Sequence, residues 1–275
     1  MPLKCSPRSS KLLSMAQKTT APSIKAMKGA GVPIVCVTAY DAVTGALADQ
    51  AGVDLILVGD SVGNVVLGYE TTVPVTMEEM LHHFRAVRRS VKSTFLVADM
   101  PFGSYQASVE QAVQSAVSFM KEGAEAVKLE GAYGEAIAAI VRAGIPVMGH
   151  VGMTPQSVNA FGGFKTQGRG NRAQAVVDAG KVVEEAGAFS VVLELIPAEL
   201  ASILTSELSI PTIGIGAGVQ CDGQIQVFHD LVGLSPFAFR HAKRYVEGWS
   251  SFGDALKSYA DEVRKSEFPA SEHSV

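Results

Sequence analysis

Short, continuously apolar runs alternate with longer stretches of helical period from about residue 34 to the end of the chain, and that alternation leaves few folds open. The runs that read as strands are Ile34–Ala39, Leu55–Gly59, Thr94–Ala98, Ala126–Leu129, Val147–Val151, Ser190–Leu193, Thr212–Ile215 and Val227–Val232. Most are apolar at every position rather than at alternate ones, as expected when both faces of a parallel sheet are covered. Eight such units in 275 residues favour closure into a single (β/α)8 TIM barrel. An open doubly wound sheet is the alternative that shares the pattern.

The intervening segments carry their own boundaries. Ser108-Val-Glu-Gln111 reads as a capped first turn, Val109, Ala112, Val113, Ala116, Val117 and Met120 fall on one face, and Gly123 closes the helix. Thr76-Met-Glu-Glu79 opens another helix in the same way, and Pro197 stands where a first turn accepts proline. With 47% apolar and 18% charged residues, the chain has the material for one large closed core. We read residues 1–25 as a basic leader and 26–275 as the barrel with a C-terminal helix and tail. The first forty residues hold six basic groups and no acid, so a mitochondrial transit peptide is the alternative reading of a leader on a cytoplasmic protein.

Composition also removes function classes. A net charge of -4 supplies no basic field for nucleic acid or an anionic membrane, and the apolar runs are strand-sized, too short to span a bilayer. Cys5, Cys36 and Cys221 form neither a disulfide framework nor a zinc-ligand spacing.

Acidic residues follow several apolar runs: Asp60, Asp99, Glu130 and Glu194. Any one of them serves equally well as a helix N-cap or as a ligand. In a barrel, however, all four converge on the mouth at the C-terminal ends of the strands, where such folds carry their active sites. Buried carboxylates need a compensating charge, and an oxygen-only donor set points to a hard cation such as Mg2+ rather than zinc. Lys128 shares a strand face with Glu130, and would either neutralise a substrate carboxylate or pair with that acid. His150 ends another strand, either as a donor facing the mouth or as a structural histidine satisfied by backbone. His82 and His83 read as surface or packing residues, and His229 and Asp230 receive no role. Two connections, Ser61–Val75 and Gly152–Arg172, are long enough to build or cover a site. The second holds Lys165 and Arg169 in a glycine-rich stretch, either a lid or a plain surface loop. Gly214-Ile-Gly-Ala-Gly218 is a weak phosphate-cradle signal, better read as a close backbone approach.

Taken together, Val-Gly-Asp60-Ser61, Ala-Asp99-Met-Pro-Phe102, Val-Lys128-Leu-Glu130-Gly, Gly-His150-Val-Gly-Met-Thr-Pro-Gln156, Leu-Glu194-Leu-Ile-Pro197, Gly-Ile-Gly-Ala-Gly218 and Cys-Asp222-Gly-Gln-Ile225 resemble, in order, the motifs of the ketopantoate hydroxymethyltransferase family. The resemblance runs from about Pro33 to Glu272-His-Ser; Val219-Gln-Cys221 and the tail depart from the family pattern. It implies transfer of a one-carbon unit from 5,10-methylenetetrahydrofolate to 3-methyl-2-oxobutanoate, giving 2-dehydropantoate in pantothenate biosynthesis. It further implies one Mg2+ per subunit on Asp60 and Asp99 with Glu130 near, Asp60, Ser61, Asp99 and Lys128 binding the oxo acid, and Glu194 as proton acceptor. His150 would support them. Homo-oligomers, often decamers, are the family's assemblies. A folate-independent lyase or mutase of 2-oxo acids is the competing enzyme, and a non-catalytic oxo-acid binder the competing class.

Overall fold

The computed structural model describes residues 18–235 and 239–275. The leader expected over 1–25 lies outside the described residues as far as position 17. From Ala21 to Ala30 the chain forms helix α1, started by a reciprocal cap between Thr20 and Ser23 and ended by Gly31 in the left-handed region. Strands β1 (Ile34–Thr38), β2 (Leu55–Val58), β3 (Phe95–Asp99) and β4 (Ala126–Lys128) make the first half of the sheet. Strands β5 (Val147–Gly152), β6 (Ser190–Glu194), β7 (Thr212–Ile215) and β8 (Gly223–Gln226) complete it. Every neighbour is parallel and β8 pairs back onto β1, so the barrel closes.

Helices α2 (Ala42–Ala51), α4 (Met77–Ser90), α5 (Val109–Lys121), α6 (Gly134–Arg142), α8 (Ala173–Glu185) and α9 (Ala198–Glu207) connect the strands. Short α3 (Val62–Val65) and α7 (Val158–Phe161) stand inside the two long connections. Beyond β8 come α10 (Phe228–Leu231) and the terminal α11 (Gly248–Arg264). The Thr76–Glu79 reciprocal cap forms as the sequence suggests. At α5 only half of the expected cap does: Ser108 accepts from the Gln111 N–H, while the Gln111 amide donates to the Gly103 carbonyl.

Two cores follow from the two-residue period of wholly buried strands. In β2, Leu55 and Leu57 point into the barrel with Phe95, Val97 and Met148, while Ile56 and Val58 face the helices. Ile24 of α1 belongs to the inner set, so α1 plugs the N-terminal end of the barrel. The same parity carries Asp99, Lys128, His150 and Glu194 inward at the opposite end.

Seven strands lie within one residue of the expected ends. The eighth is corrected: Val227–Val232 is no strand, because α10 occupies most of it, and Gly223–Gln226 closes the barrel instead. Pairing decides this. Gly223 lies against Ile34, where a Cβ would collide with the Ile34 carbonyl, and the Phe228 N–H donates to Thr38 Oγ1 just past the strand. No helix spans 216–222, between β7 and β8.

Candidate active site

The C-terminal mouth gathers three carboxylates and one ammonium, all buried: Asp60, Asp99, Glu130 and Lys128. Lys128 Nζ donates to Asp99 Oδ1 at 2.7 Å and stands 3.6 Å from Glu130 Oε1. The other Asp99 oxygen accepts the Asp60 backbone N–H at 3.1 Å. Gly59 leaves room for Ser61, since a side chain there would press on Ser61 Oγ. Ser61 Oγ shares a 2.7 Å hydrogen bond with the Tyr40 hydroxyl.

Gln156 ties the acids together. Its side-chain amide donates to Asp60 Oδ2 at 2.9 Å and to the Met100 carbonyl, and its backbone N–H donates to Glu130 Oε2 at 3.0 Å. Its carbonyl oxygen accepts from the Tyr105 hydroxyl at 2.6 Å and from Gln106. Buried amide and phenol groups thus hold the carboxylates in place without neutralising them.

The electrostatics show a shortage of positive charge. Burial, then Asp99 and Glu130, push the Asp60 carboxyl well above the usual range, against the pull of Lys128 and Gln156. Asp99 is raised too, chiefly by burial, despite its contact with Lys128. Burial works the other way on Lys128, but the attraction of Asp99, Glu130 and Asp60 outweighs it and holds the ammonium charged.

His150 lies between Glu130 and Glu194. Its Nε2 is 3.3 Å from Glu194 Oε2 and its Nδ1 is 3.6 Å from Glu130 Oε1. Among the described residues neither nitrogen finds a partner of hydrogen-bond geometry, so the reading of a histidine satisfied by backbone does not hold. Burial and Lys128 depress its pKa, yet the two carboxylates prevail and raise it to about 9. Glu194, at the end of β6, keeps part of its side chain open to the mouth. Leu195 follows it with φ at 45°, a left-handed turn that costs a non-glycine residue energy and fixes where the strand ends.

Asp60, Asp99, Lys128, Glu130, His150 and Glu194 converge at the mouth through contacts or shared partners, and the seventh residue singled out, Ser61, stands next to Asp60 in the chain with its hydroxyl on Tyr40. Lys165 and Arg169 lie exposed on the connection before α8, outside this cluster. His83 Nδ1 meets the Tyr40 carbonyl at 2.7 Å and the His229 ring centre is 5.4 Å from that of Tyr40, both packing roles behind the site. Asp222 belongs to the far end, where it binds Lys28 and Thr212 and fastens α1 to β7. Sequence reasoning assigned no role to Gln156, Tyr105 or Tyr40. Gln156 stood in the quoted motif, but neither tyrosine had any spacing signal.

The donor set fits a hard divalent cation: it is all oxygen, buried, and carries more negative than positive charge. Among the described residues no three His, Cys, Asp or Glu side chains already form a ligand cage. Mg2+ is commonly held by one or two carboxylates, with its other positions left to water or substrate.

The ketopantoate hydroxymethyltransferase family model matches residues 18–271. A 3-methyl-2-oxobutanoate hydroxymethyltransferase from Carboxydothermus hydrogenoformans is 52% identical over 262 residues, covering 94% of this chain and 95% of its own. The enzyme of that name from Thermotoga maritima is 52% identical over 255 residues, covering 91% and 94%. Among solved structures, a phosphonopyruvate hydrolase complexed with oxalate and Mg++ superposes with a TM-score of 0.62 over 93% of each chain at 16% identity. An oxaloacetate acetylhydrolase does so at 0.61 and 10%, over 89% of this chain and 86% of its own. These two likenesses concern the fold alone.

Proposed function

The chain belongs to the ketopantoate hydroxymethyltransferase family, and from that premise we propose that it transfers the methylene carbon of 5,10-methylenetetrahydrofolate to C3 of 3-methyl-2-oxobutanoate. The products are 2-dehydropantoate and tetrahydrofolate. The observation that carries the reading is the division of the mouth into two parts: a carboxylate cluster with one bound ammonium, and the partly exposed Glu194 set against buried His150.

Asp60 and Asp99 would hold Mg2+, with Glu130 near it. When bound, the ion supplies Lewis acidity at the keto group and so makes the neighbouring C–H more acidic. Lys128, fixed by Asp99, offers its remaining protons to the substrate carboxylate. Ser61, oriented by Tyr40, donates beside it. Glu194 accepts the C3 proton, and His150 gives that carboxylate a charged neighbour that keeps it in place. Over the reaction the C3 carbanion equivalent forms the new carbon–carbon bond with the methylene carbon, both bonds from that carbon to the folate nitrogens N5 and N10 break, and water provides the hydroxyl oxygen; the C3 proton taken by Glu194 and one proton of that water end on the two nitrogens. Gln156, itself held by Tyr105, fixes Asp60 through its side chain and Glu130 through its backbone N–H.

The bacterial relatives support a cytoplasmic setting. Assembly into a homo-oligomer is supported by an exposed apolar stripe on α11: Trp249, Phe252, Leu256, Tyr259 and Val263 at helical spacing.

The test is NMR in D2O of the protein with 3-methyl-2-oxobutanoate and Mg2+, first without and then with methylenetetrahydrofolate. C3 deuteration followed by folate-dependent 2-dehydropantoate is the expected result. Exchange without the folate product would remove the folate donor; absence of both would remove the enzyme reading. In the same assay Glu194→Gln should abolish exchange while binding the oxo acid, and retained exchange would exclude Glu194 as the base.

A further inference from the structure

Outward-facing strand residues of a (β/α)8 barrel lie under its ring of helices, and Ile56 of β2, Leu96 of β3, Val127 of β4 and Val191 of β6 are buried there. Val35 of β1 is the exception. Its neighbours Ile34 and Cys36 belong to the inner core, so by the two-residue period it points outward. It is 52% exposed, and among the described residues no other strand leaves a large apolar side chain in that condition. The ring of helices is open at this place: residues 216–222 join β7 to β8 without a helix, and β8 pairs directly with β1. Gln224, on the outer side of β8, is exposed beside it. Helix α2 forms one flank of the opening. A side chain at Gly45 would press on Ser90 Oγ and Val87, and Asp49 accepts from the backbone of residues 92–94, so these two positions face the end of α4. Thr44 and Ala48 are buried towards the barrel. Val43 and Leu47 therefore lie on the flank away from α4, where both are exposed.

The piece that would close the ring is the helix after β8, and α11 does not cover this opening. Its apolar side chains recur every three or four positions along 17 residues, a stripe of about 25 Å, and all of them stay exposed. The start of the helix is held firmly. The N–H groups of Gly248 and Trp249 donate to the carbonyls of Val232 and Gly233, and neither Gly233 nor Gly248 has room for a Cβ against the opposing backbone. A crossing this tight keeps the helix in the direction that leaves its stripe bare. One chain thus carries two uncovered apolar surfaces of matching kind: an uncharged opening formed by Val35, Val43 and Leu47, and a helix face that lacks a partner of its own.

We propose that α11 of one copy lies in the opening beside β1 and α2 of another, so that a neighbouring subunit completes the ring of helices. The contact rests on the homo-oligomer reading above and adds to it the surface that receives the stripe. Leu47 and Leu256 are both exposed in the single chain, so each can be changed without disturbing the barrel core.

The experiment measures mass by light scattering over a range of concentrations for wild type, Leu47→Lys, Leu256→Glu and the double variant Leu47→Lys/Leu256→Glu, with circular dichroism to check each barrel. Wild type should contain two chains or more. Each single variant should raise the concentration needed for half-assembly about tenfold or more. The double variant, which sets opposite charges across the contact, should recover part of that loss. A monomeric wild type removes the homo-oligomer reading and this contact with it. An oligomeric wild type whose assembly is unmoved by Leu47→Lys overturns the contact alone, and so does a double variant that assembles no better than the weaker of the two singles.

Discussion

Gln156 makes five hydrogen bonds within the site, three as donor and two as acceptor, and so carries more of its order than any acid does. Replacing it by Leu keeps the volume and removes the side-chain bonds, leaving Asp60 and Tyr105 short of partners in a buried place. The expected cost is about 3 kcal/mol, read from urea denaturation, with weaker Mg2+ binding by calorimetry. The raised pKa of Asp60 gives a further expectation. A carboxyl raised on folding contributes stability in full below its ordinary pKa and loses it as pH rises through the folded value. A cation that binds the ionised form displaces that proton, so the gain in stability from Mg2+ should grow as pH rises above the ordinary carboxylate range towards the raised value of Asp60. At about a hundred times Kd it should reach about 2.7 kcal/mol in thermal melts, and a gain independent of pH would contradict the assignment of Asp60. Asp60, Asp99 and Glu130 could be read from sequence because each comes at the end of an apolar run, and Lys128 because it lies two residues before Glu130 on the same strand face. Gln156 and Tyr105 could not, because they meet only where the connections after β3 and β5 converge.

At the scale of elements, Asp49 of α2 holds the start of β3. It accepts from the backbone N–H groups of Lys92, Ser93 and Thr94 and from the hydroxyls of Ser93 and Thr94. Burial alone would raise its pKa, but these donors, Thr94 foremost, hold it well below the carboxylate range. A depressed pKa adds stability above the unfolded value and loses it as pH falls towards that of the native group. Asp49→Ala should therefore cost about 2 kcal/mol near neutrality, with the deficit shrinking well below pH 4 in denaturation titrations. Strand β8 shows where sequence pattern stops. Gly223-Gln-Ile-Gln226 lacks the apolar run that marks the other strands, and its place is decided by the gap left between β1 and β7. Gly223→Val should strain that closure, by about 3 kcal/mol, visible as a lower melting temperature.

For the whole molecule, the repeated βα pattern made the barrel readable because most units bury both faces of their strand, and no single run had to be read correctly for the total to close. Assembly is less legible, since an apolar stripe on a helix looks the same in sequence whether it meets the barrel or another chain. On α11 it stays exposed, with Leu256 at 69%. Leu256→Lys should shift the protein to a smaller species in light scattering with little change to the barrel's circular dichroism; an unchanged mass would place the subunit contacts elsewhere. The one tryptophan in the sequence, Trp249, sits on this same stripe and is 62% exposed. Its emission is consequently an optical marker of the terminal helix: a blue shift on raising concentration would record the covering of that stripe, while melting of the barrel interior would pass largely unseen at that wavelength.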